Sequence, residues 1–226
     1  MADMMNDRAP SPASHYEYVM HIPGKSSTEQ LKQKVFYAMD ELEGWCSKQK
    51  AAVLVDLILN VQPTTVVEIG VFGGKSLIPM AYALKENENG KIYGIDPWDS
   101  LESIKGMDGV NRDWWGSVDH KQILQGLNEK ITKFGLQKQV KLIKNTSEKA
   151  DPIAHIDLLH IDGNHSLKTS YGDVIKWVPL VRPGGIIIFD DIGWETTGEA
   201  VQWLDAHCKK IREFKGDNVW GIWLKT

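Results

Sequence analysis

Cysteine is nearly missing from this chain: Cys46 and Cys208 are the only two in 226 residues, and they form no Cys-X-X-Cys pair. That excludes a disulfide framework and a multi-cysteine metal site, and two ordinary thiols fit a reducing cytoplasm. A surplus of positive charge is missing too. With 26 Lys and Arg against 30 Asp and Glu, a net charge of −4 and a pI of about 6.0, no basic block or stripe offers itself to nucleic acid or to an anionic membrane. No apolar run nears the roughly 18 residues of a membrane span, and the opening MADMMNDRAPSPASHYEY has no apolar signal core. A soluble, cytoplasmic protein with a small-molecule partner is expected.

What is present is ordinary globular usage, 42% hydrophobic and 25% charged, enough for one domain with a sizeable core. Residues 1–15, rich in Pro, Ser, Ala, Asp and Asn, read as a disordered leader. Residues 16–62 read as N-terminal helices: SSTEQLKQKVFYAMDELEGW opens with capping residues, and KQKAAVLVDLILNV repeats the helical spacing before Pro63. From 63 to 226 short apolar runs alternate with helical patterns: TVVEIG, a helix from Lys75, KIYGID, a helix near 118–134, VKLIKN, IDLLHID, a helix near 166–177, and GIIIFDD. Alternation of that kind predicts a doubly wound, mostly parallel α/β sheet. After a helix near 198–207, the pattern around Gly216-Asp217-Asn218 predicts a hairpin with an antiparallel strand.

Glycines mark the first strand end. VVEIGVFGGKS is a strand, a glycine turn and a helix start, where backbone amides approach a ligand closely. The dinucleotide fingerprint fails because Phe72 and Lys75 stand where it needs glycine, and a phosphate-binding P-loop misses by one residue, since only three lie between Gly70 and Gly74. The turn resembles instead the first motif of class I methyltransferases, with Glu68 at the strand end and Gly70 and Gly73 in the turn. That resemblance implies S-adenosylmethionine passing over Gly70, with Phe72 lining the turn and Ser76 a candidate donor to the methionine carboxylate. Asp96, 26 residues beyond Gly70, is suited to the ribose hydroxyls, and Trp98 beside it is placed to cover the adenosine. Asn145, Thr146 and Ser147 form a further turn, read as strand-to-helix, where this class receives adenine; a plain capping box reads the same residues equally well.

Acid gathers at two later strand ends. Asp162 stands three residues ahead of His165 in HIDGNHS and 28 ahead of the pair Asp190 and Asp191 in IIIFDD. In a parallel sheet these meet at one edge, and three carboxylates there repel one another unless a cation or a proton intervenes. Three hard oxygen donors suggest Mg2+, leaving about three of its six positions to water and substrate oxygens. His165, with an unperturbed pKa of about 6.5, is the candidate general base; Lys168, near about 10.4, is its competitor. Asp157 reads as structural and His160 as a core histidine.

The block HIDGNHS…PGGIIIFDD resembles the methyltransferase family that includes macrolide-sugar O-methyltransferases and cephalosporin hydroxylase-like proteins, and more distantly the catechol O-methyltransferases. The resemblance covers roughly Gly44 to Thr226. It implies a seven-stranded Rossmann-like fold, Mg2+ held by Asp162, Asp190 and Asp191, Asp162 also close to the cofactor, and a histidine base at His165. The expected activity is methyl transfer to a hydroxyl of a sugar-bearing or phenolic metabolite. A P-loop-like nucleotide hydrolase and a non-methylating family member are the rivals. The loop after Asp96, with Trp98, Trp114 and Trp115, reads as a lid, and Arg112 or His120 is placed to touch substrate. The leader and first helices are free to close the site or to pack on a second copy of the chain.

Overall fold

The computed structural model describes residues 26–216 and 218–226. The expected leader and the turn residue Asp217 lie outside them. Helix α1 (Ser27–Met39) starts from a reciprocal cap: the Ser26 hydroxyl accepts from the Glu29 amide, and the Glu29 carboxylate accepts from the Ser26 amide at 2.8 Å. Helix α2 (Lys48–Val61) is capped by the Ser47 hydroxyl, which accepts from the Lys50 amide at 3.1 Å. Both helices bury apolar stripes in the same core as the first strand, so they are built into the domain.

The remaining elements are β1 (Thr65–Ile69), α3 (Leu77–Glu86), β2 (Lys91–Asp96), α4 (Ser100–Ser103), α5 (Gly109–Ser117), α6 (His120–Lys133), β3 (Val140–Lys144), β4 (Ile156–Ile161), α7 (Leu167–Trp177), β5 (Val181–Phe189), α8 (Gly198–His207), β6 (Cys208–Phe214) and β7 (Trp220–Lys225). Seven strands form one sheet in the order β3-β2-β1-β4-β5-β7-β6. The first five are parallel; β7 runs antiparallel to β5, and β6 antiparallel to β7. This is the expected mostly parallel sheet with its antiparallel C-terminal hairpin. Two expectations are corrected. The segment 145–155 runs to β4 as turns, so no helix follows β3, and the presumed long loop after β2 carries the helices α4 and α5.

Strand side chains alternate between two apolar layers. Val66, Leu158 and Ile188 pack with α1, α2, α3 and α6, whereas Val67, Leu159 and Ile187 pack with α7 and α8. The same period of two puts Glu68, His160, Asp162 and Asp190 on the α2 face and Asp191 on the other. At the opposite, N-terminal edge of the sheet Asp157 ties three strands together: it accepts from Thr64 N at 2.8 Å, Thr64 Oγ1 at 2.9 Å, Thr65 N at 2.9 Å and Arg182 Nε at 2.5 Å. Burial pushes this carboxyl up, but the bonds from Arg182, Thr65 and Thr64 outweigh it and hold the pKa below the usual carboxylate range.

Candidate active site

Parallel pairing carries one residue past each strand and so aligns the site. Gly70 N donates to Ile95 O at 3.0 Å, Asp162 N to Ile69 O at 2.8 Å, and Asp190 N to Ile161 O at 3.0 Å. Between β1 and β4, where the chain reverses its direction of winding, an open α/β sheet presents its ligand crevice. Gly70 takes φ +82°, and a Cβ there would run into the carbonyl oxygen of Asp162. Its lack of a side chain is therefore required by the β1–β4 approach itself, ahead of any clearance for a cofactor. A Cβ on Gly73 would meet the Glu43 carbonyl at 2.5 Å, so the turn also packs under the chain entering α2.

Asp96 is wired to this turn. Its Oδ2 accepts from Val71 N and Phe72 N, each at 3.0 Å, and its Oδ1 from Trp98 N at 2.7 Å. Burial raises its pKa, against the three amides. Oδ1, with one donor, keeps room for a hydroxyl, so the carboxylate fits a ribose while already bracing the loop. Trp98 is turned inward: it is buried, and its Nε1 donates to Phe72 O at 2.9 Å. Phe72 (φ 49°), Trp98 (φ 40°) and Asp191 (φ 52°) are three of the six non-glycine residues in left-handed conformation among the described residues. Each costs on the order of 1–3 kcal/mol, and such strain gathers where a site over-determines its backbone.

Beneath the turn runs a buried polar chain. Ser76 Oγ donates to Glu68 Oε1 at 2.5 Å, which also receives His160 Nδ1 at 2.8 Å. Ser76 is thereby committed to Glu68. His160 Nε2 lies 3.1 Å from Lys50 Nζ, and Lys50 in turn pairs with Asp190 Oδ2. His160 Nε2 also lies 3.4 Å from Asp190 Oδ2; burial and Lys50 oppose charge on this imidazole, but Asp190 and Glu68 outweigh them and raise its pKa to about 9. His160 is the satisfied core histidine expected, yet it belongs to the site's wiring. Lys50 also stands 3.8 Å from Asp162 Oδ2. Two buried oxygens in this network have no hydrogen-bond partner, Glu68 Oε2 and Asp190 Oδ1.

Asp162, Asp190, Asp191 and His165 are brought to one edge but divided between two groups. His160, Asp162 and Asp190 offer atoms within 4.8 Å of one another, and so do Asp162, His165 and Asp191. Asp162 belongs to both. His165 Nε2 bonds Asp191 Oδ2 at 2.9 Å and lies 3.7 Å from Asp162 Oδ1. Burial opposes its charge, but Asp191 and Asp162 outweigh that and raise its pKa. Burial and the neighbouring charge of Asp190 raise Asp162 well above the carboxylate range. Lys168 is exposed at the head of α7. The edge offers hard oxygen donors for a divalent cation in two neighbouring groups that share Asp162, one with Asp190 and one with Asp191, and Asp190 Oδ1 is buried without a hydrogen-bond partner.

Sequence reasoning missed Lys50, Trp194 and Asp173. Lys50 heads the stripe Lys50, Leu54, Ile58 on the buried face of α2, and a lysine at that spacing beside an unbalanced set of acids was the available signal. Trp194 meets the His165 ring edge-on at 5.3 Å between centroids. Asp173, a buried carboxyl pushed by burial to about 7, accepts from Ser147 Oγ; Thr146 Oγ1 accepts from Lys149 N at 3.3 Å. The tryptophan segment docks on the His165 turn, where Asn164 Nδ2 donates to Ser103 O at 3.0 Å and Lys105 O at 2.9 Å. Trp45, Phe72, Trp114 and Trp115 form one aromatic cluster, with centroids from 5.0 to 6.4 Å apart. Trp45 and Trp114 stay largely exposed, Arg112 is exposed, and His120 is buried against Trp115 O at 3.2 Å.

A sheet in this order, with a glycine turn after its first strand and acids ending β2, β4 and β5, defines a Rossmann-like methyltransferase fold. Residues 67–192, more than half of the chain, match the family described as a methyltransferase domain, and the chain belongs to it. Among solved structures it is similar to the O-methyltransferase TomG from Streptomyces achromogenes, involved in tomaymycin synthesis and solved with S-adenosylmethionine. Identity there is 17%, over 94% of this chain and 96% of that one, at a TM-score of 0.59. An O-methyltransferase from Bacillus cereus, in complex with S-adenosylhomocysteine, gives 16% identity, 94% and 97% coverage and a TM-score of 0.57. An S-adenosylmethionine-dependent O-methyltransferase from Thermotoga maritima gives 11%, 87%, 71% and 0.60. The protein y4gI of Sinorhizobium fredii is 23% identical over 160 residues, which are 69% of this chain and 16% of that protein, so the chain spans about a sixth of that relative's length. Among the described residues no helix is long and apolar enough to cross a membrane.

Proposed function

We propose that the protein transfers a methyl group from S-adenosylmethionine to a hydroxyl of a small metabolite. The observation that carries this reading is His165 held by Asp191 at the carboxyl edge of a methyltransferase-family sheet, beside Asp162 and the glycine turn. The relatives solved with the sulfonium cofactor or its demethylated product support the choice of donor, and their oxygen acceptors support the choice of acceptor.

Asp96 Oδ1 receives a ribose hydroxyl, while its bonds to Val71, Phe72 and Trp98 keep the turn in shape. The acceptor's hydroxyl oxygen attacks the methyl carbon in line with the departing sulfur. Because His165 Nε2 is the nitrogen that donates to Asp191, the proton passes to Nδ1, and the electrons of the carbon–sulfur bond stay on sulfur. Asp191 and Asp162 stabilise the imidazolium so formed. Mg2+, held by Asp162, Asp191 and Asp190 Oδ1, would supply polarisation of the acceptor oxygen and fix its angle of approach. The half-exposed ring cluster of Trp45, Phe72, Trp114 and Trp115 offers flat apolar faces that suit a sugar or phenolic ring.

Calorimetry with S-adenosylmethionine, followed by a release assay for S-adenosylhomocysteine against phenol, catechol and sugar acceptors, tests the proposal. Binding together with acceptor-dependent release is the expected result. A preference for ATP, or binding without turnover on any acceptor, would return the choice to the hydrolase or to a non-methylating protein.

A further inference from the structure

Lys50 reaches the acidic edge from α2, far away in sequence. Its ammonium is buried, pairs with Asp190 Oδ2, lies 3.1 Å from His160 Nε2, stands 3.8 Å from Asp162 Oδ2 and lies 5.6 Å from the centre of the Trp220 ring. The two carboxylates that face it, Asp190 and Asp162, come from adjacent strand ends. The acids need this as much as the lysine does: Asp190 is buried one strand away from Asp162, and two carboxylates so placed are tolerated only with a cation or a proton between them. A buried lysine with no partner would likewise give up its proton. The asymmetry of Asp190 completes the picture, since Oδ2 is taken by Lys50 and Oδ1 is left buried and unpartnered.

We propose that Lys50 is a tethered counter-ion for the acidic centre: its ammonium balances Asp190 and Asp162 so that the edge folds without a divalent ion, and a divalent ion competes with it for those carboxylates. The role is one of positioning and charge, and it stands whether or not the chain transfers methyl groups.

The test is thermal unfolding of the full chain in EDTA and in Mg2+, with Mg2+ titrated separately by calorimetry, for wild type, Lys50→Met, Lys50→Arg and Lys50→Met/Asp190→Asn. Wild type should melt at nearly the same temperature in both buffers. Lys50→Met should melt lower in EDTA, regain most of the loss in Mg2+, and bind Mg2+ at least about tenfold more tightly than wild type, which corresponds to 1.4 kcal/mol. Lys50→Arg should keep the wild-type indifference to EDTA, and Asp190→Asn added to Lys50→Met should abolish the Mg2+ response. If Lys50→Met does not fold in EDTA, Mg2+ or the added Asp190→Asn should restore folding. An unchanged EDTA midpoint or unchanged Mg2+ affinity in Lys50→Met would overturn the proposal. So would a failure of both Mg2+ and Asp190→Asn to rescue an unfolded variant.

Discussion

Asp157 and Asp190 are both buried aspartates at the ends of central strands, on opposite edges of one sheet. Asp157 is closed: four donors from three residues fill its oxygens, and nothing about it is left to bind a ligand. Asp190 is open. One oxygen pairs with Lys50, the other has no partner, and the next residue takes a left-handed backbone. A fold that satisfies a carboxylate completely is using it for stability, whereas one that buries it half-satisfied, beside strained backbone, holds it ready for chemistry.

The largest effect that would sharpen this contrast is on turnover. Replacing His165 by Ala should lower the rate by about 10²–10⁴-fold, while calorimetry shows S-adenosylmethionine affinity little changed. Full turnover in that variant would break the assignment of the open edge to catalysis. At the closed edge Asp157→Ala should lower unfolding free energy in urea by about 2–3 kcal/mol, because the Thr64 and Thr65 donors lose their acceptor. Cofactor affinity should not move, and a large change in it would mean that the two edges are not separable. Asp96→Ala should weaken S-adenosylmethionine binding by about tenfold, the worth of roughly one hydrogen bond.

The effect that varies with pH concerns Asp173, buried between the two behaviours, with one bond from Ser147 and a pKa pushed by burial to about 7. Its folded pKa lies above the unfolded value of about 3.9, so the folded state binds the extra proton between them. Its contribution to stability is fully present below the unfolded pKa and is lost as pH rises through about 7. Asp173→Asn should therefore gain on wild type in urea melts as pH climbs from about 4 to 7 and run parallel above that. A constant gap across the range would show the carboxyl to be ionised throughout, another closed group.

Much of this was readable from residues alone, where local signals and topology agree. Strand-helix alternation, the turn at Gly70 and the acids at Asp96, Asp162, Asp190 and Asp191 each lie at a strand end, and parallel strands put those ends on one edge. What escaped depends on which way a side chain turns. Whether Trp98 covers a ligand or packs inward is decided by its φ of 40° and its bond to Phe72 O, which no spacing rule reports. That Gly70 must also clear the Asp162 carbonyl, a contact across 92 residues, is set by the approach of β1 to β4 and not by the local motif. Lys50 was counted with its helix because an amphipathic pattern names the buried face without naming what waits there.

That lysine also says something about modularity. The family match begins at residue 67, six residues after α2 ends, so in this chain the matched segment carries the acids while the lysine that meets them comes from a helix ahead of it. Relatives that exchanged their N-terminal helices would exchange this charge with them, and each new helix would reset how strongly the inherited edge calls for a metal.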